Sequence, residues 1–286
     1  MADGCEDKPK TLETGSKNST SRISGLDFRG KLSAEWGMVA LVVLIVIVLV
    51  LVEPDPYKRV VLFVRDGVGV TVFVTIASFF FTLFAGLLGG LGRLSKNRII
   101  YGISTLYVEF IRGIPLLVQL LWWYFAFPVV IQGIGRLLTG WGLNVEFLLE
   151  YRANAILMAV IGFVVCYGAY MSEIYRAGIQ SIPRGQMEAA RSLGMSYFQA
   201  LRYIILPQAF RVILPPVGNE FIALLKDSSL VSVVAVTDLT RRGREFMAQT
   251  YMPIETWFMV ALLYLILTLA SARVIEWVEK RIRIEG

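Results

Sequence analysis

The sequence predicts an all-α integral membrane protein of about six transmembrane helices, a five-helix core preceded by one additional N-terminal helix. Three observations lead there. The chain is 56% hydrophobic and only 17% charged, with a mean hydropathy of +0.64, well to the apolar side of a soluble domain. Its apolar runs recur at lengths near the roughly 20 residues needed to cross a hydrocarbon core of about 30 Å. Its Lys and Arg residues fall at the ends of those runs, as membrane topology requires, and not in one stripe.

Residues 1–35 are polar, rich in Ser, Thr, Lys and Gly, and read as a cytoplasmic tail without regular structure. The first apolar run starts after them, too late for a cleaved signal peptide. Trp36 to Val52 is the first span, stopped by Glu53-Pro54-Asp55-Pro56, and residues 36–67 form this added helix with its outer loop. The uncharged run between Asp66 and Arg93 is the second span; Gly86 and Gly90 give it small-xxx-small spacing, a packing signal. The third lies between Arg112 and Arg136, with Trp122, Trp123 and Tyr124 in its second half, and the fourth between Arg152 and Glu173. Residues 173–205 are polar and helix-prone. From Leu206 to Thr237 runs an apolar stretch broken by Pro207, Pro215 and Pro216; as one straight helix it would measure about 48 Å, so it must bend or unwind. Thr256 to Ala272 is the last span, and residues 277–286 form a charged end. With six spans both termini share a side, and the Lys and Arg excess places them, with the 173–205 loop, in the cytoplasm.

Several classes are excluded. A net charge of +6 spread over span ends is not a nucleic-acid footprint. Cys5 in the tail and Cys166 in an apolar run make no disulfide framework. With no histidine, the chain offers neither a Ser-His pair nor a histidine metal site, which speaks against an intramembrane enzyme. Hydropathy alone leaves a channel or a helical scaffold open.

One loop discriminates. It reads Ser181-Ile-Pro-Arg-Gly-Gln-Met-Glu188-Ala189-Ala190-Arg-Ser-Leu-Gly194, then nine residues, then Ile204-Ile-Leu206-Pro207. Glu, Ala, Arg and Leu favour helix, Gly194 can adopt the left-handed cap that ends it, and a second helix runs into the membrane at Pro207. A bare Glu-Ala-Ala is an ordinary amphipathic helix. The full string in the last large inner loop resembles the EAA motif of ABC importer permeases, the inner-membrane components of binding-protein-dependent transport. Tyr107-Val-Glu109-Phe-Ile-Arg112-Gly113-Ile114-Pro115-Leu-Leu-Val-Gln119, Glu173-Ile-Tyr-Arg176-Ala-Gly and Asn219-Glu220-Phe-Ile-Ala-Leu-Leu-Lys226-Asp227-Ser228-Ser229-Leu230 are similar to the branch serving polar amino acids (histidine, glutamate, glutamine, arginine) and opines. Residues 68–276 carry the resemblance; Ile114 and Ser228 stand where that branch usually has Thr.

The resemblance implies the type I ABC importer transmembrane-domain fold in a bacterial cytoplasmic (inner) membrane. It implies a transporter subunit without catalytic residues or a cofactor of its own. ATP and Mg would belong to a partner ATPase dimer, docked through Glu188, Ala189, Ala190 and Gly194. An extracellular or periplasmic amino-acid-binding protein would deliver the solute, and a second permease, identical or related, would complete the pathway within the lipid. Charges inside spans are costly and often functional. Glu109 and Arg112, three apart on one helical face, read as a local ion pair or as pathway residues. Asn219, Glu220, Lys226, Asp227, Ser228 and Ser229 read as pathway lining or as a structural Glu-Lys-Asp network; a broken helix there suits a zwitterion.

Overall fold

The computed structural model describes residues 26–284, with side chains placed for 36–282. The expected tail before Leu26, including Cys5, lies outside the described residues. Among the described residues all regular structure is helical. Four helices are long and apolar enough to cross a membrane, and the apolar part of the first, Trp36–Val52, is shorter.

Helix α1 (Leu26–Val52) begins inside the stretch expected as tail. The chain breaks at Glu53 and re-enters helix at once in α2 (Pro54–Arg93). The outer loop expected after the first span is therefore absent. Proline costs little in a first helical turn, where its missing N–H has no partner in any case. Beyond it Val60 and Val64, one turn apart, are buried against Leu239, Phe246, Met259 and Val260, so the segment has an apolar face to fold against. A kink at Asp55 interrupts its first turn; from Pro56 to Arg93 α2 is about 57 Å long, nearly twice the hydrocarbon thickness.

After the turn at Leu94–Asn97, where the Asn97 side chain accepts from the amides of Ile99 and Ile100, helix α3 (Arg98–Arg112) doubles back beside α2. Ser104 sits against Gly92 and Tyr107 against Gly89, and Tyr107 Oη donates to the Val165 carbonyl at 2.7 Å. This strongly amphipathic helix was not among the expected elements; it carries Glu109 and Arg112 into the bundle. After a break at Gly113–Pro115, α4 (Leu116–Gly140) forms the third span, with a π-helical turn at Trp122–Ala126. Asn154 caps α5 (Ala155–Gln180), which extends past the expected end of the fourth span. Glu173 and Arg176 thus belong to its last turns and not to a loop, and Glu173 pairs with both Arg93 of α2 and Arg176.

Helix α5 is the post of the bundle. Gly86, Gly89 and Gly90 of α2 face Met171, Ser172 and Tyr175 so closely that a Cβ at Gly86 or Gly89 would overlap them. In lipid there is little hydrophobic force between helices, so such small-residue contact is what binds them. A short helix α6 (Arg184–Ser192) is followed by a helical turn at Tyr197–Ala200 that runs on, through a π-helical stretch at Leu201–Ile205, into α7 (Leu206–Asp227). Helix α7 runs antiparallel to α5, with Ile213 at Gly178 and Asp227 at Tyr167, so it stops near mid-bundle. Ser228–Val233 is a 3-10 turn, and Val231, Val234 and Val236 continue through the core against Val74, Leu120 and Phe163. The stretch from Leu206 to Thr237 is thus part helix, part irregular chain, as its length requires, but the break is not at the prolines: Pro207 sits in the first turn of α7, Pro215 and Pro216 lie inside it, and the helix runs on through Asn219 and Glu220 to Asp227. Asp238 caps α8 (Leu239–Thr250), and Leu239 N donates to Thr71 Oγ1. The last helix, α9 (Pro253–Ile284), packs its first turns on the last turns of α1, so their far ends lie on one side.

Gly86→Val should cost about 1–3 kcal/mol through overpacking against Met171, read as a shorter thermal half-life of the detergent-solubilised chain. Gly102→Ala, where nothing lies within 4 Å of the added carbon, should leave it unchanged.

Candidate functional site

Two places carry unusual chemistry. The first lies midway along α5, where the buried Tyr167 and the more exposed Tyr170, three residues apart, project about one turn from each other. Each holds a charge. Tyr167 Oη donates to Asp227 Oδ2 at 2.8 Å, and the Arg112 guanidinium lies over the Tyr170 ring, 5.1 Å from its centroid. The two rings are 6.2 Å apart. Glu220, one turn and more below Asp227 on α7, lies within electrostatic reach of both Arg112 and Asp227.

The Glu109–Arg112 ion pair that the spacing suggested does not form; Arg112 stacks on Tyr170 instead, because α3 packs antiparallel to α5 and brings the guanidinium over that ring. Among the described residues no salt bridge joins Glu220, Lys226 or Asp227 either. A structural Glu-Lys-Asp network is thus absent, and Asn219, Lys226, Glu109 and Arg112 are exposed on the chain. Ser228 is buried and donates to the Leu225 carbonyl, holding the helix end; Ser229 is half-buried beside it. Residue reading missed Tyr167 and Tyr170. The available signal was a pair of phenols in the middle of an apolar run, away from the interface where tyrosines usually sit.

Gln119 fixes this face. Its Nε2 donates to the carbonyls of Ile111 and Ile114 at 2.9 and 2.8 Å, bridging the break between α3 and α4. One buried side chain thus serves the Ile114 carbonyl and the Ile111 carbonyl, which also takes the Ile114 amide at 3.3 Å, and Arg112 lies between them, over Tyr170.

The second place is the elbow between α5 and α7. Helix α6 starts after Pro183 and ends where Gly194 takes φ +84°. The amides of Gly194 and Met195 return to the carbonyls of Arg191 and Ala190, a glycine-closed helix end. Ser196 and Gln199 then form a capping box. Ala190 is buried, Glu188 and Ala189 are exposed, and Leu193, Tyr197 and Phe198 stand 85%, 59% and 70% exposed. Among the described residues no cluster of acidic, Cys or His side chains suits a metal ion.

With this geometry described, comparison with known proteins is informative. The family described as binding-protein-dependent transport system inner membrane component matches residues 66–284. The chain is 34% identical over 219 residues to the glutamine transport system permease protein GlnP of Escherichia coli K12, covering 77% of this chain and 92% of that one. It is 37% identical over 217 residues to the L-cystine transport system permease protein TcyB of Bacillus subtilis, covering 76% and 85%. A solved amino acid ABC transporter with histidines superposes with a TM-score of 0.66 at 34% identity, over 80% of this chain and 97% of that one. The methionine transporter MetNI, at 20% identity and a TM-score of 0.60 over 77% and 96%, shares the fold.

Gln119→Leu should leave the Ile111 and Ile114 carbonyls without that donor and destabilise the chain by about 1–3 kcal/mol. Thermal unfolding in detergent would measure it, and an unchanged midpoint would count against the bridging role.

Proposed function

We propose, for a chain that belongs to the binding-protein-dependent transport system inner membrane component family, that it is the permease subunit of an ATP-driven importer of polar amino acids. It hydrolyses nothing itself. ATP and Mg are held by a separate ATPase dimer, and an extracellular binding protein delivers the solute. The observation that carries this reading is the elbow. Its exposed Leu193, Tyr197 and Phe198 on a glycine-closed turn suit a cleft in a cytoplasmic ATPase, and the adjoining turn leads straight into α7, which bears the mid-depth charges. Closure of the ATPase would move α6 and α7 as rigid bodies and open the face alternately to either side.

A second permease, identical or related, completes the pathway. Exposed ionisable groups at membrane depth are not stable against lipid, so the face bearing Arg112, Asn219, Glu220, Lys226 and Asp227 must look onto protein or water. Glu109, Ser228 and Ser229 border it. The elbow side is cytoplasmic, by its arginines and the positive-inside rule, and both termini lie there in a bacterial inner membrane. The substrate class follows from two features. Charges of both signs meet on one face, and the relatives are permeases of glutamine and cystine systems.

The test is ATPase activity and uptake in liposomes holding the chain with its ATPase, with and without loaded binding protein. Stimulation by one loaded amino acid supports the reading; absence of any stable ATPase complex overturns it. Glu220→Gln and Lys226→Met should each lower uptake at least about tenfold, ~1.4 kcal/mol, while the ATPase still co-purifies. Normal transport by both would sink the pathway assignment. Gly194→Asp, which forces a side chain into a left-handed backbone, should abolish stimulation of hydrolysis by the loaded binding protein while its basal rate persists.

A further inference from the structure

Helix α3 presents an apolar face that nothing among the described residues covers, and we infer that this face, with Lys96 and Arg98 at its foot, seats one anionic phospholipid of the leaflet on the elbow side. The inference concerns a lipid contact and involves no step of uptake.

The depth of the site comes from α2 and α5. Their uncharged runs end at Arg93 and Glu173, which pair with each other, so the hydrocarbon ends there and the Leu94–Asn97 turn lies at headgroup level. From that turn α3 goes back into the membrane. Ile99, Ile103, Leu106 and Phe110 follow one another at the three- and four-residue spacing of a single helical stripe, and they are 63–72% exposed. The side that packs is the opposite one, where Val108 is buried and Ser104 rests on Gly92. From Ile99 to Phe110 the stripe measures about 16 Å, the depth of one leaflet in a hydrocarbon core of about 30 Å. Leu88 and Leu91 of α2, each next to a glycine on which α3 lies, are exposed as well, so the apolar surface continues from one helix onto the other. That suits an acyl chain laid along it.

Charge selects the headgroup. Lys96 and Arg98 are exposed, and neither forms a salt bridge among the described residues. No Asp or Glu occurs between Asp66 and Glu109, and Glu173, the acid at this level, is already shared by Arg93 and Arg176. Two cations without an acid, at the depth of the phosphates and at the start of an apolar stripe, match a lipid whose head carries net negative charge. A second copy of the permease is the rival occupant. The stripe lies about half a turn around α3 from Arg112, whereas the face that must look onto protein or water is the one bearing Arg112. A partner closing that face leaves the stripe to the bilayer, and the lipid then braces from outside the helix that carries Arg112.

The experiment titrates the purified full chain in a neutral detergent with palmitoyl-oleoyl phosphatidylglycerol or with phosphatidylcholine of the same chains, counting bound lipid by native mass spectrometry. The wild type should retain one phosphatidylglycerol per chain with at least about tenfold preference. Lys96→Gln combined with Arg98→Gln should bring the two lipids to within about twofold of each other. Lys58→Gln combined with Arg65→Gln, which removes exposed cations near the other end of α2, should leave the preference as it was. Ile103→Ser combined with Leu106→Ser should weaken both lipids alike, because the stripe meets the chain and not the head. Soluble glycerol phosphate should displace neither lipid. The inference is overturned by a wild type without preference, by an unchanged preference in the Lys96 and Arg98 variant, or by displacement with glycerol phosphate, which would make the site one for free phosphate. It is overturned equally if either pair of substitutions dissociates permease dimers in place of releasing lipid, since the face would then be an interface between copies.

Discussion

The structure depends on the close approach of α2 and α5. Glycines at 86, 89 and 90 bring the two backbones together over Met171, Ser172 and Tyr175, and no hydrophobic force in lipid would substitute for that contact. Once the pair is set, α5 has one face left for α3 and α4, one for α7, and one open. Tyr170 stands at the edge of the open face, and Tyr167 is buried beside it against α7. A helix packed hard on two sides is also one that cannot easily rotate, so the phenols and the charges they hold keep their orientation.

The second requirement is that backbone interrupted at membrane depth be satisfied within the protein. The chain is interrupted twice, and each time locally. Between α3 and α4 a single glutamine amide serves two carbonyls. At the end of α7 the Ser228 hydroxyl returns to Leu225, and a 3-10 turn carries the chain on into the valine-lined core. Both interruptions border the same face, and each leaves a charged residue, Arg112 or Asp227, at its edge. Irregular backbone, costly elsewhere in a bilayer, is confined to where the polar chemistry is.

Much of this was legible in the residues. Apolar runs gave the spans, length gave the break before Thr237 although the helix runs through Pro215 and Pro216 and ends only at Asp227, and Gly194 gave the closed helix end that φ +84° realises. Three things were not. The outer loop after Val52 is helix, because charged Lys58, Arg59 and Arg65 mask a Val60–Val64 stripe whose partners, Leu239 and Met259, are far along the chain. Helix α3 was hidden because a short amphipathic segment has no hydropathy signature of its own. Arg112 could not be assigned from spacing: Glu109 is its neighbour in sequence, whereas Tyr170 becomes its neighbour only when α3 doubles back on α5.

The unbroken length of α2 has a mechanical consequence. About three turns in from its first residue Asp66 is bound by Arg242 of α8, and at its last residue Arg93 is bound by Glu173. Nothing between them hinges. A tilt of one degree about the midpoint of the roughly 40 Å between them displaces each contact by roughly 0.35 Å in opposite directions, so a few degrees carry a nudge at one contact to the other as a movement of an ångström or more. The helix is a lever, and the two arginine contacts are its handles.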